Sequence, residues 1–181
     1  MRRRRLITTG RTYYDKNEAC YFTELLLVDG QSMSSWASTK TYGHAEGLSV
    51  CFRQHRAESH CSFLHGYALS FTVVFEAFDL DHRGWVMDFG GLRPLKDWLK
   101  STFDHKTVVA ADDPEISTFR ALSEAGVLEL VILEDGVGCE RFAEHVGKWV
   151  TAWLDKTYPR IRCSSVECRE HGANSAIWRN V

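Results

Sequence analysis

The sequence predicts an α+β domain with helices on one face of a mainly antiparallel sheet. Three observations carry that expectation. The run "YALSFTVVFEAF" (67–78) is long and rich in aromatic and β-branched residues, as a strand requires. Two later stretches, "GGLRPLKDWLKSTF" and "CERFAEHVGKWVTAWLDKTY", set their apolar residues at helical spacing. The elements then follow in the order strand, strand, helix, short helix, strand, helix, strand.

Taken in order, residues 1–46 read as an N-terminal extension and residues 47–181 as the domain. The extension is polar and small in "GQSMSSWASTKTYGHAEG", and only "CYFTELLLV" (20–28) suggests a strand or short helix. "LSVCFRQH" alternates as a strand, and "RAESHCSFLHG" connects it to the long one. Arg83-Gly84 marks a turn before a short apolar segment. Leu92, Leu95, Trp98 and Leu99 form one helical face, with Pro94 in the first turn, where its missing N–H costs nothing. "ISTFRALSEAG" (116–126) is a short helix stopped by Gly126, and "VLELVILE" is a strand. Phe142, Val146, Trp149, Val150 and Trp153 make a second helical face ended by Pro159, and "RIRCSSVECRE" closes the domain as an alternating strand.

Composition narrows the function classes. The chain has 181 residues, 44% hydrophobic and 25% charged, enough for one domain with a proper core. A formal net charge of -2 offers no general attraction to nucleic acid or anionic membrane, and the basic run Arg2 to Arg5 is short enough to be a solvated terminus. No stretch approaches the roughly 20 apolar residues of a membrane span. "LITTGRTYYDKNEA" lacks the apolar core of a secretory signal, so a cytoplasmic protein is expected. The six cysteines include no CxxC pair and are expected to be mostly free thiols. No phosphate loop, dinucleotide fingerprint or nucleophile elbow is present.

Four groups can carry chemistry. His55, His60, Cys61 and His65 share one short connection, where imidazoles and a thiolate can hold zinc, or a thiol can meet its base. Asp104 stands beside His105, and a carboxylate there can orient the ring and raise its basicity. Glu167 lies on the closing strand, pointing away from the face of Val166 and Cys168, where a carboxylate can bind an amidine-like heterocycle edge. Asp88 of "GWVMDF" is placed to cap the helix that follows. Each group also has a plain reading as a surface, packed or capping residue.

In order, "CSFLHGY", "GWVMDFGGL", "FDHKTV", "CERFAEHVGKWV" and "SSVECREHGANSAIW" resemble the 6-pyruvoyltetrahydropterin synthase and 6-carboxytetrahydropterin synthase family, over about residues 47–181. The resemblance implies a T-fold: a four-stranded antiparallel sheet with two helices on one face, assembling into an oligomeric barrel. It implies homo-oligomers, usually hexamers, with active sites between subunits. The implied activity is a lyase acting on 7,8-dihydroneopterin triphosphate, most like the 6-carboxytetrahydropterin synthase of 7-deazaguanine (queuosine-type) biosynthesis. By position, Cys61 matches the catalytic cysteine, Asp104 and His105 the Asp-His couple, and Glu167 the pterin anchor. His55 and His65 match histidines of a zinc triad. Tyr67 stands where the third imidazole falls, and the His55–Cys61 connection is shorter than the family's, which admits His60 to the site. Cys139 and Arg141 replace the threonine and asparagine common at the second helix start. The alternative is a T-fold protein with altered catalysis, serving as a pterin- or purine-binding or structural assembly subunit.

Overall fold

A computed structural model describes residues 34–181 continuously and, before them, only the short strands Arg5–Leu6, Thr12–Asp15, Cys20–Thr23 and Val28–Asp29. Arg2–Arg4 and residues 24–27, on which part of the sequence reading falls, lie outside the described residues. Met1–Ser34 and Ser35–Val181 are separate units. In the first, Thr12–Asp15 pairs antiparallel with Cys20–Thr23, and Arg5–Leu6 runs parallel to Val28–Asp29.

The second unit contains β1 (Trp36–Tyr42), β2 (Leu48–Phe52), β3 (His65–Ala77), α1 (Arg93–Phe103), β4 (Lys106–Ala110), α2 (Ile116–Glu124), β5 (Glu129–Leu133), α3 (Cys139–Thr157), β6 (Arg162–Arg169) and β7 (Ser175–Arg179). The sheet order is β7-β6-β3-β2-β4-β5, with β1 also paired to β3. Pairs from β7 through β2 are antiparallel, as the sequence predicts, while β2–β4 and β4–β5 are parallel. The parallel strands widen the antiparallel platform on one side.

Three strands escape sequence reading, each for a physical reason. β1 lies in the segment assigned to the extension, yet pairs with β3 from Trp36↔Ala77 to Tyr42↔Phe71. Only its Tyr42 is buried, so no hydrophobic rhythm marks it. β4 is a short run buried from Thr107 to Ala110, and burial on both faces erases alternation. β7 is an edge strand with alternate residues exposed.

β1 and β2 are two halves of one path along β3. Residues 43–47 stand opposite the single Ser70, and Gly47 turns the chain at φ 74°. A 3₁₀ turn over His44–Glu46, closed by Gly47, passes the path from one half of β3 to the other. Leu69, Phe71, Val73 and Phe75 of β3 are fully buried on one face, and α1 and α3 cover that face with Leu95, Leu99, Phe103, Phe142, Val146, Val150 and Leu154. Each such side chain contributes about 1.5–3 kcal/mol by leaving water. The tryptophans of the two predicted helical faces sit at the rim, with Trp98 stacked on Trp149 at 4.4 Å and Trp149 on Trp153 at 5.8 Å. Asp88 does cap: its carboxylate accepts the Gly90 N–H at 2.9 Å.

α3 meets the sheet most closely at Gly147. A Cβ built there falls 2.1 Å from Trp178 Cε3 of β7. Gly147→Ala is therefore expected to destabilise the fold by about 1–3 kcal/mol despite alanine's better helix propensity, read by chemical denaturation.

Candidate functional site

The connection carrying Cys61 is ordered by its own polar groups. Ser59 caps a 3₁₀ turn over His60–Ser62, its hydroxyl accepting the Cys61 N–H at 3.3 Å. The Ser62 hydroxyl donates back to the Ser59 carbonyl at 2.8 Å. Gln54 N–H donates to the Cys61 carbonyl at 2.9 Å, tying the turn to the end of β2. The Cys61 thiol is thus presented, partly exposed, from a pinned backbone.

His65 and Tyr67 follow on β3, on the same face as Leu69 and the helices. His65 packs on the buried Phe52 (ring centroids 4.9 Å), and its Nδ1 faces the Phe63 carbonyl at 2.7 Å. That bond places the proton on Nδ1 and leaves the Nε2 lone pair outward. Tyr67 stands edge-on to His65 at 5.6 Å and 6.0 Å from the ring of His171. Burial, then the nearby Glu170, Cys61 and Cys139, holds the Tyr67 phenol above its ordinary value. Sequence reasoning missed His171, because its approach to Tyr67 depends on the turn between β6 and β7 rather than on any local motif.

The three histidines matched or admitted to a zinc set are not gathered. His55 turns to two carboxylates, with Nδ1 3.8 Å from Asp113 Oδ2 and Nε2 3.9 Å from Asp112 Oδ1. His60 is exposed on the 3₁₀ turn. Tyr67 offers a phenol where the third imidazole is expected. Among the described residues, no three His, Cys, Asp or Glu side chains converge as metal ligands. As placed, these residues do not fit a zinc triad.

Asp104 and His105 form the expected couple. His105 Nδ1–H donates to Asp104 Oδ1 at 2.7 Å, leaving Nε2 free to accept a proton. His105 takes a left-handed backbone (φ 57°), and its N–H is anchored on the Ser49 carbonyl at 2.7 Å. Its side chain is 85% exposed and lines a cleft of about 570 Å³ with Cys51, Gly66, Tyr67, Ala68 and Thr107. Cys51, Gly66, Ala68 and Thr107 alternate with Phe52, His65 and Val108, so their side chains point away from α1 and α3.

Glu167 shares that open face, since its neighbours Val166 and Cys168 are fully buried under the helices. It stands between Thr72 of β3 and Ile177 of β7. Its Oε1 pairs with Arg169 Nη2 at 2.7 Å, a partner that sequence reading did not foresee. Cys61 and Cys139, at the start of α3, lie near enough to Tyr67 to act on its phenol, His105 shares a cleft with Tyr67, and Glu167 stands on the face opposite the helices.

A model of the 6-pyruvoyl tetrahydropterin synthase family matches residues 44–180. The 6-carboxy-5,6,7,8-tetrahydropterin synthase of Rickettsia typhi is 38% identical over 66 residues, covering 34% of this chain and 48% of that protein. The corresponding synthase of Rickettsia conorii is 28% identical over 96 residues, covering 51% and 68%. The chain thus spans about half the length of the first relative. Among solved structures, an uncharacterised protein from Wolinella succinogenes superposes with a TM-score of 0.68 at 18% identity, over 82% of this chain and 98% of that one. A 6-pyruvoyltetrahydropterin synthase from Plasmodium vivax gives 0.58 at 12% identity, over 82% and 99%. These superpositions establish a shared fold.

Proposed function

Because the chain belongs to the 6-pyruvoyl tetrahydropterin synthase family, we propose that it is a lyase shortening the side chain of 7,8-dihydroneopterin triphosphate, as a 6-carboxytetrahydropterin synthase does in 7-deazaguanine (queuosine-type) biosynthesis. The observation that carries this reading is the Asp104–His105 couple, built with its Nε2 lone pair free beside an open cleft. A histidine so oriented accepts a proton from substrate and returns it. Cys61, on its pinned turn, is the second proton carrier. Glu167 supplies two carboxylate oxygens for the amidine-like edge of a pterin, a bidentate pairing that requires Arg169 to share or release it.

In this reading, as the resemblance implies, a complete set of Cys61, Asp104, His105 and Glu167 takes residues from two copies. The working unit in this reading is a homo-oligomer, with a hexamer the expected number. Among the described residues, no helix is long and apolar enough to cross a membrane.

The test is incubation of the full chain with dihydroneopterin triphosphate, following triphosphate and acetaldehyde by mass spectrometry. Release of both in equal amounts is expected. No product at high enzyme concentration, with or without added zinc, would refute the lyase. Tyr67 favours a second reading, a subunit that binds pterin or purine without turnover. That reading predicts saturable pterin binding together with no triphosphate.

A further inference from the structure

The rings of His65, Tyr67 and His171 have complementary hydrogen-bonding ends. His65 donates its Nδ1 proton to the Phe63 carbonyl at 2.7 Å, so its Nε2 is an acceptor. His171 does the reverse: its Nδ1 accepts the Ala173 N–H at 3.2 Å, so the neutral ring carries its proton on Nε2 and is a donor there. Tyr67 neighbours both, 5.6 Å and 6.0 Å from the two ring centroids, with a phenol that both donates and accepts. The tautomers are set by backbone groups on separate segments, one before β3 and one after β6. The His171 bond weighs against that ring as a metal ligand, since its Nε2 lone pair is spent on its proton while Nδ1 is engaged by the main chain; the His65 bond leaves an Nε2 lone pair that a hydroxyl or a metal could use.

An acceptor, a phenol and a donor on neighbouring rings can match two adjacent hydroxyl groups, each of which needs one partner of either kind. We propose that His65, Tyr67 and His171 form a metal-independent clamp for the adjacent side-chain hydroxyls of a polyol-bearing pterin. This rests on the pterin reading above and adds Tyr67 and His171 as substrate-positioning groups. The clamp uses Tyr67 as it stands, with its phenol doing the work otherwise expected of an imidazole ligand.

The experiment titrates the full chain with two probes, 7,8-dihydroneopterin and a 6-methyl-dihydropterin that lacks the hydroxyls, in EDTA and again with zinc. The wild type is expected to prefer the hydroxylated probe about tenfold or more, equally in both buffers. Tyr67→Phe and His171→Ala are each expected to bind it about 3- to 10-fold more weakly and to bind the methyl probe unchanged. His171 is exposed on a turn, so its variant keeps the test sound if the Tyr67 variant folds poorly. A preference that appears only with zinc, at about one zinc per chain by elemental analysis, overturns the clamp. So do variants that weaken both probes alike, or a wild type without preference. Preference without triphosphate release would sink the lyase and leave the clamp standing; release without preference would do the opposite.

Discussion

Replacing Cys61 with serine is expected to slow triphosphate release by about 10²- to 10⁴-fold, the contribution of a well-placed proton carrier. The substitution keeps the size and the hydrogen bonds of the 3₁₀ turn, which are made by the backbone of residue 61 and by Ser59 and Ser62. Stability is therefore expected to stay within about 0.5 kcal/mol of the wild type. The proposed sharing of the site between copies gives this experiment a second arm. His105→Ala should be similarly slow alone, and on the two-copy site proposed above, unfolding, mixing and refolding the two variants together should recover part of the activity, because a mixed oligomer would contain sites with both Cys61 and His105 intact. No recovery would mean that each chain works alone.

Asp113→Ala is expected to cost about 3–5 kcal/mol, because it strands a charge in a closed pairing. The Asp113 side chain is fully buried and receives Arg53 Nε at 2.9 Å and Nη2 at 2.6 Å, as well as the Glu115 N–H at 2.8 Å. Arg53 also lies over the Phe119 ring at 5.9 Å, so the pair ties β2 to the start of α2. The Arg53 hydrogen bonds hold the Asp113 carboxyl below the ordinary carboxylate range. Its folded value is thus lower than its unfolded one, near 3.9. The stabilisation is fully present above about pH 3.9 and is lost as pH falls through the folded value. Denaturation curves of wild type and Asp113→Ala should therefore lie far apart at pH 7 and converge in strong acid. A constant gap would refute this account.

How much is legible in the sequence follows the range of the forces involved. β3, β6 and the buried faces of α1 and α3 are written in periodicities of two and 3.6, which burial on one side imposes locally. β1 and β7 carry weaker local signals because exposed edges demand less of their residues, and β4 because burial on both faces removes contrast. The same distinction runs through the site. The spacing of Cys61, His65 and Tyr67, the Asp104-His105 step and the outward face of Glu167 are local facts, each contained within a few residues of chain. Spacing alone groups His55 with His65, yet the His55 ring lies with Asp112 and Asp113, which the parallel strand β4 brings to the end of β2.

By itself, then, the sequence determined the elements around the long strand, the family pattern and the residue types that can move protons. Tertiary structure alone decided which of those residues share a face. Strand alternation assigns a side within each strand, but neighbours across the sheet come from pairings with distant segments. Those pairings put His171 beside Tyr67, brought Asp112 and Asp113 to His55 and set His105 in one cleft with Cys51, Gly66 and Thr107.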